Sequence, residues 1–207
     1  MILLFDLDRT LINTEEFKKG LCDIFGISSK EYNSHVDLFF REKFIHYSPE
    51  AHISLLKKLG NIKTTYEKKQ IDNLYKKLLR KTDIYLFPEV KNLLARLKKQ
   101  KHTLVLITLG APSSQKRKVE SFGLKKYFDK IIYETKNKSE NNFIKKLKNL
   151  NQEILIINDK ADESLAIKKM IGERAKIFLI KSPHSKNTTH NEKIHSNIIE
   201  ISKFLKI

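Results

Sequence analysis

Two aspartates one residue apart follow the first apolar run of the chain, Ile2-Leu3-Leu4-Phe5-Asp6-Leu7-Asp8-Arg9-Thr10. In extended backbone Asp6 and Asp8 share a face. Two carboxylates forced together repel, so one carries a proton or a cation sits between them. A hard divalent cation such as Mg²⁺ meets that demand with oxygen ligands and waters. Three later stretches offer matching groups. Thr108-Leu109-Gly110 supplies a hydroxyl and a pliable backbone, both able to hold phosphate oxygens. Lys136-Asn137-Lys138 supplies a lysine that can neutralise a crowded acidic site and bind a transferring phosphoryl group. Asn158-Asp159, with Asp162 and Glu163 just beyond, supplies a second source of metal-binding carboxylate. A threonine or a lysine on a loop is usually only solvated. What carries weight is the ordered set, each member placed after a buried strand.

The elements that would position these groups are legible as apolar runs. Residues 2–5, 104–107, 131–133, 154–157 and 177–180 read as short buried strands. Helical patterns alternate with all but the first interval, which gives βαβ units and a parallel sheet, an α/β Rossmann-like core flanked by helices. Open sheets of this kind build their sites where strands end. The interval after the first strand differs. Asn13-Thr14-Glu15-Glu16 and Ser28-Ser29-Lys30-Glu31 are capping boxes, Ser48-Pro49-Glu50 puts proline at a first helical position, and Thr64-Thr65-Tyr66-Glu67 opens a fourth helix. Leu59-Gly60 closes the third of these helices, and Phe44 lies on the second. Residues 14–84 are therefore expected to form a small all-helical domain, and 1–13 with 85–207 the α/β core. The helical part is rich in aromatics, most of them core and some able to line a pocket. Residues 182–197 are polar and predicted to be a loop, and His184, His190 and His195 in it lack the spacing of a metal site.

Composition narrows the function classes. The 207 residues carry a formal charge of +17, with 41 Lys and Arg against 24 Asp and Glu. Only six of the basic residues are arginine, the usual choice for bidentate phosphate and base reading. No interleaved basic and aromatic motif occurs, so lysine-rich solvated faces are favoured over a nucleic-acid partner, while the charge still draws in anionic substrates. No apolar run is long enough to span a bilayer. Met1 leads straight into a strand without a basic n-region, and Cys22 is the lone cysteine, which together give a cytoplasmic expectation. Cys22 lies in an apolar helical pattern and reads as a packing residue.

Asp6-Leu7-Asp8-Arg9-Thr10 resembles the first motif of the haloacid dehalogenase-like (HAD) hydrolase superfamily, Asp-x-Asp-x-Thr after a hydrophobic strand. Arg9 departs from the small residue usual there. Thr108 fits the second motif, and Thr108-Leu109-Gly110 followed by Gln115, Lys118 and Gly123-Leu124 resembles the subfamily with a helical cap inserted after the first motif. Lys138 aligns with the third-motif lysine, without the usual prolines and with Lys136 as a rival. Asn158-Asp159 stands for the usual Gly-Asp of the fourth motif, and Glu163 or Asp162 for its second acidic position.

The resemblance implies a Mg²⁺-dependent phosphatase. Asp6 would be the nucleophile and Asp8 the acid and base. Thr10, Thr108, Leu109, Gly110 and Lys138 would hold phosphate, and Asp6, Asp8, Asp159 and Glu163 the metal. The expected substrate is a small phosphorylated metabolite, a nucleoside monophosphate or a sugar phosphate. The alternatives are a phosphomutase of the same superfamily, or a catalytically weak binding protein for RNA or another acidic partner.

Overall fold

A computed structural model describes residues 1–41, 47–58, 68–182, 185 and 193–205. Among them six strands form one sheet: β1 (Ile2–Phe5), β2 (Thr103–Leu109), β3 (Lys130–Glu134), β4 (Ile154–Asn158), β5 (Ala175–Ile180) and β6 (Ile194–His195), in the order β3-β2-β1-β4-β5-β6. Every pair is parallel. Connections run one way from β1 to β3 and the other way from β4 to β6. The crevice between the ends of β1 and β4 is thus the topological switch point, where such sheets hold ligands.

The central strands β1 and β4 and the middle of β2 are apolar because both faces are covered. Leu3, Phe5, Leu104, Leu106, Leu155 and Ile157 point to one face, and Ile2, Leu4, Val105, Ile107, Ile154 and Ile156 to the other. The first face receives α6 (Val90–Lys99) through Leu93 and Leu97, and α7 (Pro112–Ser121) through Val119. The second receives α8 (Asn142–Leu147) through Ile144, and α9 (Ala161–Ile171) through Ile167 and Ile171.

Between β1 and α6 the chain is helical where described: α1 (Thr14–Phe25), α2 (Ser29–Arg41), α3 (Pro49–Lys58), α4 (Lys68–Leu79) and α5 (Thr82–Tyr85). The caps are those the sequence predicts. Asn13 accepts from the Glu16 amide at 3.3 Å, Ser28 and Glu31 exchange side-chain-to-amide bonds at 2.7 and 3.2 Å, and Ser48 accepts from the Ala51 amide at 3.1 Å. Gly26 ends α1 with φ of 65°, a conformation that costs glycine nothing. The chain departs and returns side by side. The Asn13 amide donates to Tyr85 O at 2.7 Å and the Phe87 amide to Leu11 O at 3.1 Å. The predicted helix opening at Thr64-Thr65-Tyr66-Glu67, its predecessor's end at Leu59-Gly60, and Phe44, His184 and His190 lie outside the described residues.

The predicted loop over 182–197 needs correction. Ile194–His195 pairs with β5, and the His195 ring stacks on Phe178 with centroids 3.8 Å apart while its Nδ1 meets Glu200 Oε2 at 3.0 Å. Two residues are too few to show alternation. The strand exists because β5 offers an open edge and Phe178 a flat surface. The chain then packs back on the core through Ile198 and, in α10 (Ile201–Phe204), Ile201. No helix among the described residues is long and apolar enough to cross a membrane.

Candidate active site

The switch point gathers the acidic residues. Asp6 follows β1, and its amide donates to Ile157 O of β4 at 2.9 Å, which fixes the two strand ends against each other. The Asp6 carboxylate is buried. Its Oδ1 accepts from Lys138 Nζ at 2.5 Å and its Oδ2 from Thr10 Oγ1 at 3.3 Å. Lys138 comes from the short turn after β3, is 2% exposed, and also reaches Glu163 Oε2 at 2.7 Å. One ammonium therefore bridges two carboxylates. Burial raises the Asp6 carboxyl to about 6 even though Lys138 pulls the other way, with Glu163 and Asp159 adding to the rise. Burial also works against the Lys138 ammonium, but Asp6 and Glu163 outweigh it and hold the lysine above its usual range.

Asp8 faces a different set of partners. Lys118 Nζ lies 2.8 Å from Oδ1 and 3.1 Å from Oδ2, Gln115 Nε2 donates at 3.0 Å, and Thr14 Oγ1 at 3.2 Å. Burial pushes this carboxyl up, but Lys118 and the hydrogen bonds from Lys118, Gln115 and Thr14 overcome it and hold Asp8 at about 2. The two neighbouring aspartates are thus driven apart, a pattern that marks distinct acid–base roles. Gln115 and Lys118 stand three residues apart on α7, so one helical face delivers both. Gly110 makes room for Gln115: a Cβ there would lie 2.7 Å from Gln115 Nε2.

Asp159, at the end of β4, is 1% exposed. Its amide donates to Asn158 Oδ1 at 2.8 Å, but its Oδ2 has no hydrogen-bond partner. Burial raises its carboxyl, against a hydrogen bond from Ser182 and the charges of Arg9, Lys160 and Lys138. A buried, unpaired carboxylate oxygen is costly unless a proton or a cation satisfies it. Asp6 Oδ2, with one long bond, and Asp159 Oδ2, with none, are the oxygens with capacity to spare. Two carboxylates completed by backbone oxygen and water suit Mg²⁺, which keeps several waters. Among the described residues no three His, Cys, Asp or Glu side chains form a ready-made cage. The residues fit such an ion through one or two carboxylates rather than through an all-protein cluster.

The predicted residues fall as follows. Asp6, Asp8, Leu109, Gly110, Lys138 and Asp159 line one cavity of about 770 Å³. Thr10 is buried against Asp6, and Thr108 is buried at the end of β2. Of the two candidate lysines, Lys138 meets Asp6, while Lys136 is exposed at the cavity's rim. Glu163 Oε2 is taken by Lys138 and by Asn158 Nδ2, both at 2.7 Å, so Glu163 anchors the lysine. Asp162 is exposed. The contacts of Thr14, Gln115 and Lys118 with Asp8 carry no local signal. Gln115 and Lys118 belong to the stretch that resembles the capped subfamily, and their i, i+3 spacing after a strand end is the local clue that they share a helical face. On the far side, among the described residues, Phe17, Tyr32, Tyr47 and Tyr75 from the helical segment line the cavity.

Helix–helix contacts from α7 join this wall to the core. Arg117 of α7 pairs with Glu50 of α3 and lies 4.9 Å from the Tyr75 ring centroid, while Lys118 lies 5.4 Å from that of Phe17.

Comparison with known proteins agrees with the fold. A family model described as haloacid dehalogenase-like hydrolase matches residues 3–175. No curated protein matches the chain in sequence. Three solved structures share its fold over nearly their whole lengths. A provisionally assigned beta-phosphoglucomutase from Thermotoga maritima is 18% identical with a TM-score of 0.66, covering 100% of this chain and 99% of its own. YfnB from Bacillus subtilis, a provisionally assigned HAD-hydrolase solved bound to magnesium, is 16% identical with a TM-score of 0.66, covering 100% and 98%. L-2-haloacid dehalogenase from Xanthobacter autotrophicus is 12% identical with a TM-score of 0.64, covering 100% and 99%. With the motif residues drawn together at the switch point of a parallel sheet, and the family model spanning most of its length, the chain belongs to the haloacid dehalogenase-like hydrolase family.

Proposed function

We propose that the protein is a Mg²⁺-dependent phosphatase that hydrolyses a small phosphorylated metabolite through an aspartyl-phosphate on Asp6. The observation that carries this reading is the paired environment of Asp6 and Asp8. One carboxylate is held beside a buried lysine and an unpaired Asp159 oxygen, and the other is held apart on its own lysine, both at the floor of one cavity.

An Asp6 oxygen attacks phosphorus, the bond to the ester oxygen breaks, and the alcohol leaves with a proton from Asp8. Water then attacks the phosphorus, Asp8 takes its proton, and orthophosphate departs as the Asp6 carboxylate is restored. Lys138 and the Thr108 to Gly110 segment hold phosphoryl oxygens. The carboxylates of Asp6 and Asp159, with the Asp8 carbonyl, would hold Mg²⁺, which offsets charge on those oxygens. Lys118 keeps Asp8 ionised in the free protein, the state needed to accept the proton of water. Donation requires Lys118 to turn from Asp8 to the incoming phosphoryl dianion, and Asp8 to take up a proton from solvent as the substrate binds.

Residues 14–84 serve as a cap over the strand ends, excluding water and selecting the substrate. Asp8 argues against dehalogenation, which needs no leaving-group acid of this kind.

The test is phosphate release from a panel of phosphomonoesters, with and without Mg²⁺, for wild type and Asp6→Asn. Mg²⁺-dependent release that is lost in the variant supports the reading. Release that survives the variant, or none from any ester with folded protein, overturns it.

A further inference from the structure

Arg9 stands where backbone geometry disfavours it. Its φ is 60°, in the left-handed region that glycine adopts freely and a long side chain adopts at a cost on the order of 1 kcal/mol. The strain is held by the loop, whose Arg9 amide donates to Thr14 Oγ1 at 2.8 Å. The side chain's ion pair with Glu15 uses one of its three nitrogens. Nε meets Glu15 Oε1 at 3.0 Å, and among the described residues that is its one side-chain hydrogen bond. Both terminal nitrogens of the guanidinium are without a hydrogen-bond partner among the described residues, on a side chain that lines the same cavity as Asp6 and Asp8. Glu15 is shared: Lys18 Nζ lies 3.5 Å from each of its oxygens, and Lys18 also lines the cavity. Two cations share one half-exposed carboxylate, so this wall keeps a net positive charge and a guanidinium fork positioned for bidentate capture of an oxyanion.

We propose that Arg9 and Lys18 form a second anion site, so that the ligand is a phosphoryl compound carrying a second anionic group, a carboxylate or another phosphate. This rests on the phosphatase reading in so far as the first phosphoryl group is taken to sit at Asp6. The cavity of about 770 Å³ holds both groups and a carbon framework between them. The competing account is that Arg9 only balances the acids around it. That account predicts that losing Arg9 weakens singly and doubly anionic ligands alike.

The experiment is calorimetric titration of the full chain, with Mg²⁺ present, using non-hydrolysable ligands in matched pairs. One series is phosphonoacetate, 3-phosphonopropionate and 4-phosphonobutyrate, and the second is the methylene-, ethylene- and propylene-bisphosphonates. Each is compared with the alkylphosphonate of matched length, on wild type, Arg9→Gly and Arg9→Lys. Arg9→Gly suits the φ of this position and preserves the turn, and thermal melting checks the fold. The expected result is that one length in at least one series binds wild type tenfold or more tighter than its match. That gap shrinks below threefold in Arg9→Gly and lies between the two in Arg9→Lys. The series that shows the gap identifies the second group. No tenfold gap in either series, or a gap that survives Arg9→Gly, overturns the proposal. Phosphate release is scored separately. A gap without turnover on any ester would sink the phosphatase and leave the second site standing, and turnover without a gap would do the reverse.

Discussion

Acid should loosen the aromatic wall of the cavity through His52. This residue of α3 is 1% exposed and packed among rings, with centroid distances of 4.9 Å to Phe25, 5.2 Å to Tyr32, and 5.6 Å to both Tyr47 and His35. Its Nδ1 meets the Tyr47 hydroxyl at 3.2 Å, and its Nε2 is buried without a partner. Burial, with His35 adding to it, lowers the imidazole from 6.5 to about 4. The sign follows from proton counting. Above pH 6.5 the ring is neutral in both folded and unfolded chains. Between 6.5 and 4 the unfolded chain binds a proton that the folded chain refuses, so stability falls as pH falls. Each unit contributes roughly 1.4 kcal/mol, and the drop from pH 7 to 4.5 amounts to about 2.5 kcal/mol. Asp6, raised to about 6, acts in the opposite sense over the same range, so the wild-type slope alone does not isolate His52. His52→Phe does, because it keeps an aromatic ring in the box. Urea unfolding of both proteins in EDTA at pH 7, 6, 5 and 4.5 is expected to show the variant losing about 2.5 kcal/mol less than wild type. Parallel curves would refute the reasoning.

The other predictions concern the metal, the acid–base residue and the packing of the helical segment. With Mg²⁺ at a hundredfold excess over its Kd, wild type should gain about 2.7 kcal/mol, roughly 5–10 °C in Tm, and Asp159→Asn should show no such rise in a melting experiment. Asp8→Asn should cut turnover by at least about 10²-fold. With p-nitrophenyl phosphate, whose leaving group needs no proton, the same variant should still phosphorylate Asp6 and accumulate the intermediate, as seen by rapid acid quench. Gly20→Ala should cost about 1–3 kcal/mol in denaturant unfolding. The new Cβ would lie 2.3 Å from Leu78 Cδ1 and 2.7 Å from the Tyr85 hydroxyl, where α1 crosses its neighbours.

Much of the fold could be read from the chain because its signals are local. Five apolar runs bounded by turns, and capping residues such as Asn13, Ser28 and Ser48, dictate their elements without help from distant partners. β6 was hidden because Ile194–His195 is a strand only by virtue of the β5 edge and the Phe178 ring. In the site, the spacing of Asp6 and Asp8 and the position of Asp159 follow from strand ends, and strand ends are visible. Which lysine reaches Asp6 is decided by a short turn that buries Lys138 and leaves Lys136 outside. Glu163 reads as a metal ligand from its order in the chain, and only the fold shows that Lys138 and Asn158 share one of its two carboxylate oxygens. Gln115 and Lys118 meet Asp8 from more than a hundred residues away, and only the folded sheet creates that contact.

The most direct test of the central claim is to look for the covalent intermediate. The protein is mixed with ³²P-labelled p-nitrophenyl phosphate and Mg²⁺, quenched in acid and digested with trypsin. Cleavage after Arg9 releases residues 1–9, which contain both Asp6 and Asp8. The account predicts label in that peptide for wild type and for Asp8→Asn, and none for Asp6→Asn. Phosphate release without label in the peptide, or label that persists in Asp6→Asn, would contradict it.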